Sequence, residues 1–193
     1  MSAVFPLYYF GNLAYWKAIL EENEIVLSTK QRIAKKSYSN RTIILMANGL
    51  QTLTVPLVGG RGSKTPFDEL EISYAENWIA KHKMALQSAY AKSPYYEFYM
   101  PYFENILGAK PILLIDLNKA IFKEILRLLK LKKEVIESED MATIIFIPNQ
   151  FDNSLPAYPQ VFRYKSPFQP DLSILDLLFC LGPRSSDYLL SRT

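Results

Sequence analysis

The chain has 193 residues and a formal net charge of +3, with 49% hydrophobic and 21% charged residues. This composition is typical of a folded globular domain, and so small a charge argues against general nucleic-acid binding. The longest apolar runs fall short of the ~20 residues that a membrane span needs, and the N-terminus lacks signal-peptide features. Cys180 is the only cysteine, so no disulfide can form within the chain and we expect a cytoplasmic protein.

The first residues in chain order predict a strand, a helix and a second strand. Residues 4–10 are an aromatic run, Asn12 can cap a helix with apolar residues at helical spacing, and residues 24–27 read as a strand. A strand–helix–strand opening predicts a parallel pair. Two β-branched runs joined through Asn48-Gly49 then predict a hairpin.

The rest of the chain alternates strands and helices without a linker, an internal repeat or a low-complexity segment. Strands are predicted at residues 69–73, 111–115, 135–136, 142–148 and 161–164, and helices at 73–92, 94–108, 118–131 and 173–182. The sequence therefore predicts a single α/β domain over residues 1–193, with helices packed against a mixed, partly parallel sheet of at least five strands.

His82 is the only histidine, and it lies on a helix face with Trp78, Leu86 and Ala89. The ring should point into the protein, where burial lowers its pKa and suits it to act as a general base. The alternative is a core histidine bonded to a backbone carbonyl. With no second histidine and one cysteine, the sequence predicts no transition-metal site, and no motif identifies a cofactor.

Residues 30–41 contain five cations and no acid, which favours binding of a phosphate or carboxylate. Arg41, beside Asn40 at the start of a strand, is the best-placed cation because a guanidinium can bind two oxygens at once. We expect Arg41 to face a cavity together with at least one of Lys30, Lys35 and Lys36. The alternative is a solvated loop.

Four groups of residues carry a resemblance to a known family when they are taken together. They are the segments 6–15 (Pro-Leu-Tyr-Tyr-Phe-Gly-Asn-Leu-Ala-Tyr), 36–41 (Lys-Ser-Tyr-Ser-Asn-Arg) with Asn48-Gly49, Trp78 with Lys81-His82 and 93–96, and 158–160 (Tyr-Pro-Gln) with 172–183. This combination resembles the WbqC-like family, bacterial proteins often associated with surface-polysaccharide biosynthesis. One departure is Cys180, where the family pattern leads us to expect Asn.

The resemblance implies functional roles for residues that the sequence already singles out. His82, Asn40 and Arg41 coincide with motif positions, and Tyr158 and Gln160 join them as a polar pair beside a proline. We therefore expect a transferase of glycan assembly that acts on an activated sugar or acyl donor.

In this hypothesis Arg41, helped by Lys36 and Asn40, holds an anionic or sugar-nucleotide-like ligand, and His82 accepts a proton. The alternative is a non-catalytic scaffold or binding protein that uses a tyrosine-rich surface, since the chain has 13 Tyr. A pocket containing His82 and Arg41 would favour the enzyme, and a flat aromatic patch with His82 sealed in the core would favour the scaffold.

Overall fold

The computed structural model describes residues 3–31, 37–59, 65–144 and 155–191. The strands are β1 (Val4–Pro6), β2 (Ile25–Ser28), β3 (Arg41–Met46), β4 (Gly49–Thr54) and β5 (Val135–Ser138). The helices are α1 (Leu13–Glu21), α2 (Trp78–Tyr90), α3 (Tyr96–Gly108), α4 (Leu114–Leu128), α5 (Ile174–Leu181) and α6 (Ser185–Leu190). Two short 3-10 helices cover Phe67–Glu69 and Gly182–Arg184.

The predicted α/β class is confirmed, and so is the parallel opening pair. In the described residues, β1, β2 and β5 form a parallel sheet in the order β1-β2-β5, and α1 connects its first two strands. Asn12 caps α1, because its Oδ1 accepts a hydrogen bond from the Tyr15 N–H (3.3 Å). The opening of the chain therefore folds as its pattern predicts.

The predicted single sheet of at least five strands is wrong, because β3 and β4 form a separate antiparallel hairpin. The outer edge of β3 is occupied: the N–H of Ser173, the residue that caps α5, donates to the carbonyl of Ile43 (2.9 Å). That contact leaves no continuous free edge for β3 to join the parallel sheet. The hairpin turn is Ala47-Asn48, one residue earlier than predicted.

Three other predicted strands differ from the structure. Residues 69–73 and 111–115 contribute only isolated bridges, Leu57 to Ile72 and Glu71 to Leu113. Helix α4 begins at Leu114, earlier than predicted, and residues 161–164 form turns. Most of the predicted strand at 142–148 lies outside the described residues.

In the described residues, the larger of two hydrophobic clusters joins both sheets to the helices. Trp16 of α1 stacks on Phe122 of α4, with ring centroids 5.0 Å apart. All eight residues of α5 are buried, so this helix passes through the centre of the molecule. Helix α4, which covers most of the predicted helix at 118–131, buries an apolar face that includes Ile121, Phe122 and Ile125. None of the helices in the described ranges is long and apolar enough to cross a membrane.

Lys133 caps the C-terminal end of α1, a helix that has no basic residue in its own last turn. Its ammonium donates to the carbonyls of Ile19 (3.2 Å), Leu20 (2.6 Å) and Glu22. A cation at this end also interacts favourably with the helix dipole. We expect Lys133→Met to lower the free energy of unfolding by about 1 kcal/mol, measured by urea denaturation. Lys132→Met, at the exposed neighbouring position, is the control, and equal midpoints for the two variants would contradict the capping role.

Candidate functional site

The turn after β1 is a tightly packed segment that places Tyr9 in the core. Phe10 and Gly11 have positive φ angles of 65° and 71°, and the Phe10 carbonyl accepts a hydrogen bond from Trp16 Nε1 (2.6 Å). A Cβ on Gly11 would lie 2.6 Å from the Tyr15 ring, so this position requires glycine for both conformation and space. The turn directs the Tyr9 side chain toward α2.

His82 lies in the core, with a side chain that is only 4% exposed. Its Nδ1 is 2.9 Å from Tyr9 Oη, and its ring packs edge-on against Trp78. Burial lowers the pKa of His82 to about 4, and a weaker backbone hydrogen bond to Thr54 acts in the opposite direction. The ring is therefore neutral at physiological pH. A neutral imidazole has one N–H and one nitrogen that can accept a hydrogen bond. We assign Tyr9 as the donor to Nδ1 and the Thr54 carbonyl as the acceptor of the ring N–H.

This geometry gives His82 a connecting role. It links the turn after β1, through Tyr9, to the end of β4, through Thr54. The predicted role of His82 as a general base requires a ring nitrogen that is open to a ligand, and the structure shows instead a ring with polar partners on both sides. The alternative of a core histidine bonded to a carbonyl describes this arrangement.

Arg41 and Asn40 lie at the end of the hairpin that His82 contacts. Arg41 pairs with Thr54 in the sheet register, and its Nε donates to the carbonyl of Ser37 (2.8 Å). Asn40 Nδ2 donates to the carbonyl of Val55 (2.9 Å), so this amide nitrogen is used to close the hairpin. Arg41 is half-buried. The structure thus brings Asn40, Arg41 and His82 to one end of the hairpin.

Asp171 is a candidate that sequence reasoning missed. Its Oδ2 accepts a hydrogen bond from Asn12 Nδ2 (2.6 Å), and its Oδ1 accepts one from the Ala14 N–H (2.9 Å) at the start of α1. Burial raises the pKa of Asp171 to about 7, despite the opposing effect of these two bonds. The residue is half-buried and has a positive φ of 56°.

The charges of Asp171 and Arg41 both affect the pKa of Tyr38. The phenol is buried, and burial is the main cause of its raised pKa. The charge of Asp171 raises that pKa further, whereas the charge of Arg41 lowers it. Both charged groups therefore lie within electrostatic reach of one phenol. We call Arg41, Tyr38 and Asp171 together the Arg41 face.

The tyrosines are divided between the core and partly buried positions. Six of the thirteen are buried, and only Tyr102 and Tyr164 are exposed. Tyr8, next to the Arg41 face, packs its ring 5.8 Å from that of Tyr38 and 4.9 Å from that of Tyr15. Tyr8 therefore belongs to a buried aromatic cluster and not to an exposed aromatic surface.

Tyr158 and Gln160 form a separate buried cluster with Asp176. Tyr158 Oη donates to Asp176 Oδ2 (2.5 Å), and Gln160 Nε2 lies 3.2 Å from the same oxygen. Burial raises the pKa of Asp176, and the hydrogen bonds from Tyr158 and Gln160, together with the nearby Tyr90 hydroxyl, oppose that effect. Asp176 lies in the first turn of α5, and its carboxylate is directed to this cluster.

Cys180 and Tyr90 border the same cluster. Burial raises the pKa of the Cys180 thiol, and the nearby Asp176 raises it further, so the thiol is poorly suited to react as a nucleophile. Burial raises the pKa of Tyr90, and the charge of Asp176 raises it further. Neither Tyr90 Oη nor Asp176 Oδ1 makes a close hydrogen bond to another described residue.

The six predicted site residues therefore divide into three groups. Asn40, Arg41 and His82 meet near Thr54, and Tyr158 and Gln160 belong to the Asp176 cluster. Lys36 lies outside the described residues, as does Lys35. Lys30 is ion-paired with Asp68 (2.7 Å), so its charge already has a carboxylate partner.

A groove between α2 and α3 lies apart from these residues. It has a volume of about 310 Å³ and is lined by Lys83, Gln87, Tyr96, Glu97, Met100, Pro101 and Glu104. An ion pair between Lys83 and Glu104 (2.9 Å) is part of its wall. No predicted site residue lines this groove. Within the described ranges, no group of three or more His, Cys, Asp or Glu side chains is arranged to hold a metal ion.

The chain is an α/β protein in which His82 of α2 connects the turn after β1, through Tyr9, to Thr54, the strand partner of Arg41 at the start of β3. A sequence model of the WbqC-like protein family matches residues 7–146. The chain belongs to the WbqC-like protein family. Neither the search of curated proteins nor the search of solved structures found a match.

The family match covers three of the four groups of residues on which the resemblance was based. It includes Tyr9, Asn40, Arg41 and His82, and it ends before Tyr158. The family roles expected for Tyr158 and Gln160 therefore stay predictions.

Proposed function

We propose that this protein is an enzyme of bacterial surface-polysaccharide biosynthesis that transfers a sugar or acyl group from a phosphate-bearing donor bound at the Arg41 face. The observation that carries this proposal is that Arg41 lies half-buried beside Asn40 at one end of the hairpin, with its Nε bonded to the Ser37 carbonyl (2.8 Å). Membership in the WbqC-like family supports it. A guanidinium held in this way is a suitable group for binding a phosphate.

Within this proposal His82 has a positioning role. Its ring fixes Tyr9 relative to Thr54, and Thr54 is the strand partner of Arg41. Movement of the ring would therefore be transmitted directly to the backbone opposite Arg41. The neutral, enclosed imidazole suits this role better than proton transfer to a ligand.

The test of the donor site is the Arg41→Lys variant, with UDP-glucose and acetyl-coenzyme A as probes. Lysine keeps the charge but loses the planar, two-pronged donor and the Nε bond to Ser37. We expect affinity for the probe that binds to fall by about 1–3 kcal/mol, or roughly 5–150-fold, in isothermal titration calorimetry. The two probes distinguish a sugar-nucleotide donor from an acyl donor.

Arg127→Lys is the matched control, because Arg127 is exposed and bonded to Glu124 on α4. It should leave the affinity unchanged. Unfolding midpoints of both variants show whether any loss of binding comes from loss of structure. Equal affinities of the wild type and a folded Arg41→Lys protein would contradict the donor site.

A non-catalytic binding protein is the second candidate, and the enclosed position of His82 favours it. Such a protein would hold a donor at the Arg41 face without consuming it. Release of UDP or free coenzyme A from the bound probe decides between the two candidates: slow transfer to water is expected of an enzyme, and none of a binding protein. A scaffold that uses exposed aromatic residues would have to rely on side chains such as Tyr102 and Tyr164.

A further inference from the structure

We propose that Asn118 of α4 is a positioning residue for Arg41, because it holds the segment 37–39 whose Ser37 carbonyl binds the Arg41 side chain. The inference rests on the proposed function, since it names a support for the residue that is proposed to bind the donor. Asn118 is fully buried, so it acts through the backbone of this segment and not by contact with the donor.

Helix α4, which the structure describes in full, buries a single polar side chain, Asn118, on a face that is otherwise apolar. A buried amide costs free energy unless it is hydrogen-bonded. Asn118 Nδ2 donates to the carbonyls of Leu7 (3.2 Å) and Ser39 (2.8 Å). Both partners are acceptors, so the amide must direct its NH2 group toward them, and its orientation follows from their chemistry.

The two carbonyls depend on Asn118 to different degrees. The Leu7 carbonyl also accepts a hydrogen bond from Gln31 Nε2 (2.9 Å). Among the described residues, Asn118 is the donor to the Ser39 carbonyl, and Ser39 is only 1% exposed. Loss of the amide would therefore leave a buried carbonyl at position 39 without its donor, which disfavours the present conformation of the segment.

A short series of contacts connects Ser39 to Arg41. Ser37 Oγ donates to Ser39 Oγ (3.1 Å) and accepts a long hydrogen bond from the Ser39 N–H (3.4 Å). The Ser37 carbonyl in turn accepts the hydrogen bond from Arg41 Nε (2.8 Å). Because the guanidinium is planar, a bond at Nε fixes the plane of the whole group. Displacement of residue 39 would therefore change the orientation of Arg41.

The test is hydrogen exchange at Arg41 Nε, followed in proton–nitrogen NMR spectra of the full chain without ligand. An N–H that is bonded to a fixed carbonyl exchanges slowly with water. Asn118→Leu keeps the branching of the side chain and removes the donor. We expect it to speed the exchange at Arg41 by about 5-fold or more, the effect of losing one net hydrogen bond. The Nε–H of Arg127, bonded to Glu124 (3.1 Å), should be unaffected in the same spectra.

Two further variants separate positioning from a merely structural role. Ile125→Val, on the same buried face of α4, also lowers stability but keeps the Ser39 contact, so exchange at Arg41 should not change. Ser39→Ala removes the hydroxyl that Ser37 contacts and keeps the carbonyl that Asn118 binds. It should speed the exchange at Arg41, and this result decides the question if Asn118→Leu does not fold.

The affinity for UDP-glucose or acetyl-coenzyme A, measured by calorimetry on the same proteins, connects orientation with binding. We expect Asn118→Leu to weaken the probe that binds by about 5-fold or more, and Ile125→Val to preserve its affinity.

The outcomes distinguish this inference from the donor site itself. Unchanged exchange at Arg41 in the folded variants Asn118→Leu and Ser39→Ala would overturn the positioning role, and the Arg41→Lys variant would still test the donor site. Faster exchange with unchanged affinity would also overturn the role in binding. If neither probe binds the wild type, the donor site fails and the role in donor binding fails with it, while the exchange rates show separately whether Asn118 orients Arg41.

Discussion

Replacement of His82 by alanine should lower the free energy of unfolding by about 3–5 kcal/mol. The Tyr9 hydroxyl and the Thr54 carbonyl would each lose a buried partner, at about 1–3 kcal/mol apiece, and the lost ring would leave a cavity beside Trp78. Urea denaturation measures the effect. Met84→Ala, on the same helix at an exposed position, should change stability by less than about 0.5 kcal/mol. A loss below about 1 kcal/mol at His82 would contradict its connecting role.

The pH dependence of the free energy of unfolding tests the burial of His82 independently. The folded pKa of about 4 lies below the ordinary value of 6.5, so between these values the unfolded chain binds more protons. His82 therefore stabilises the fold fully above about pH 6.5, and this contribution is lost as the pH falls toward 4, by up to ~1.4 kcal/mol per pH unit.

His82→Gln keeps a donor and an acceptor but does not titrate in this window. The stability difference between wild type and this variant should therefore shrink on acidification. The comparison is made as a difference because Asp171, whose folded pKa is raised, acts in the opposite direction over an overlapping range. A difference that stays constant from pH 7 to pH 4 would mean that the ring is not buried as described.

Replacement of Asp176 by alanine should have the second large effect, a loss of about 2–5 kcal/mol. Tyr158 Oη and Gln160 Nε2 both donate to Oδ2 of this fully buried carboxyl group, and the variant would leave two buried donors without that acceptor. Asp176→Asn keeps an oxygen in the same place. Because burial already raises the pKa of Asp176, the neutral amide should cost no more than about 1 kcal/mol.

The exposed Asp116 provides the control through Asp116→Ala, which should stay within about 1 kcal/mol of the wild type. The same cluster also tests the substrate-binding role predicted for Gln160. We expect Gln160→Ala to reduce stability and to leave the affinity for UDP-glucose unchanged, in line with its bonds to Asp176 and Gln169. A folded Gln160→Ala protein with weakened binding would place Gln160 in the donor site instead.

The local sequence pattern predicts the helices and strands of this fold better than it predicts how the strands associate into sheets. The strand–helix–strand opening, the hairpin and the apolar face of α4 follow from periodicity and capping residues, which act over a few positions. The division into two sheets does not, because it depends on the Ser173 N–H reaching the Ile43 carbonyl. That contact joins residues far apart in the chain and leaves no local signal.

Long-range contacts also limit the prediction of the candidate site. Helical spacing correctly predicts that His82 points into the protein, but it cannot reveal that Tyr9 and Thr54 are the partners of its two ring nitrogens. Asp171 lies in no segment with helical or strand periodicity. Only its place just before the Leu172-Ser173 segment could have drawn attention to it. Its raised pKa arises from burial among segments that meet only in the folded chain.

The central claim is that a phosphate-bearing donor binds at the Arg41 face, and a structure of the protein with UDP-glucose or acetyl-coenzyme A bound tests it most directly. We expect a phosphate oxygen within hydrogen-bond distance of the Arg41 guanidinium, about 2.7–3.2 Å. His82 should keep its contact with Tyr9. A probe bound in the groove between Lys83 and Glu104, or against Tyr158 and Gln160, with Arg41 untouched, would contradict the donor site.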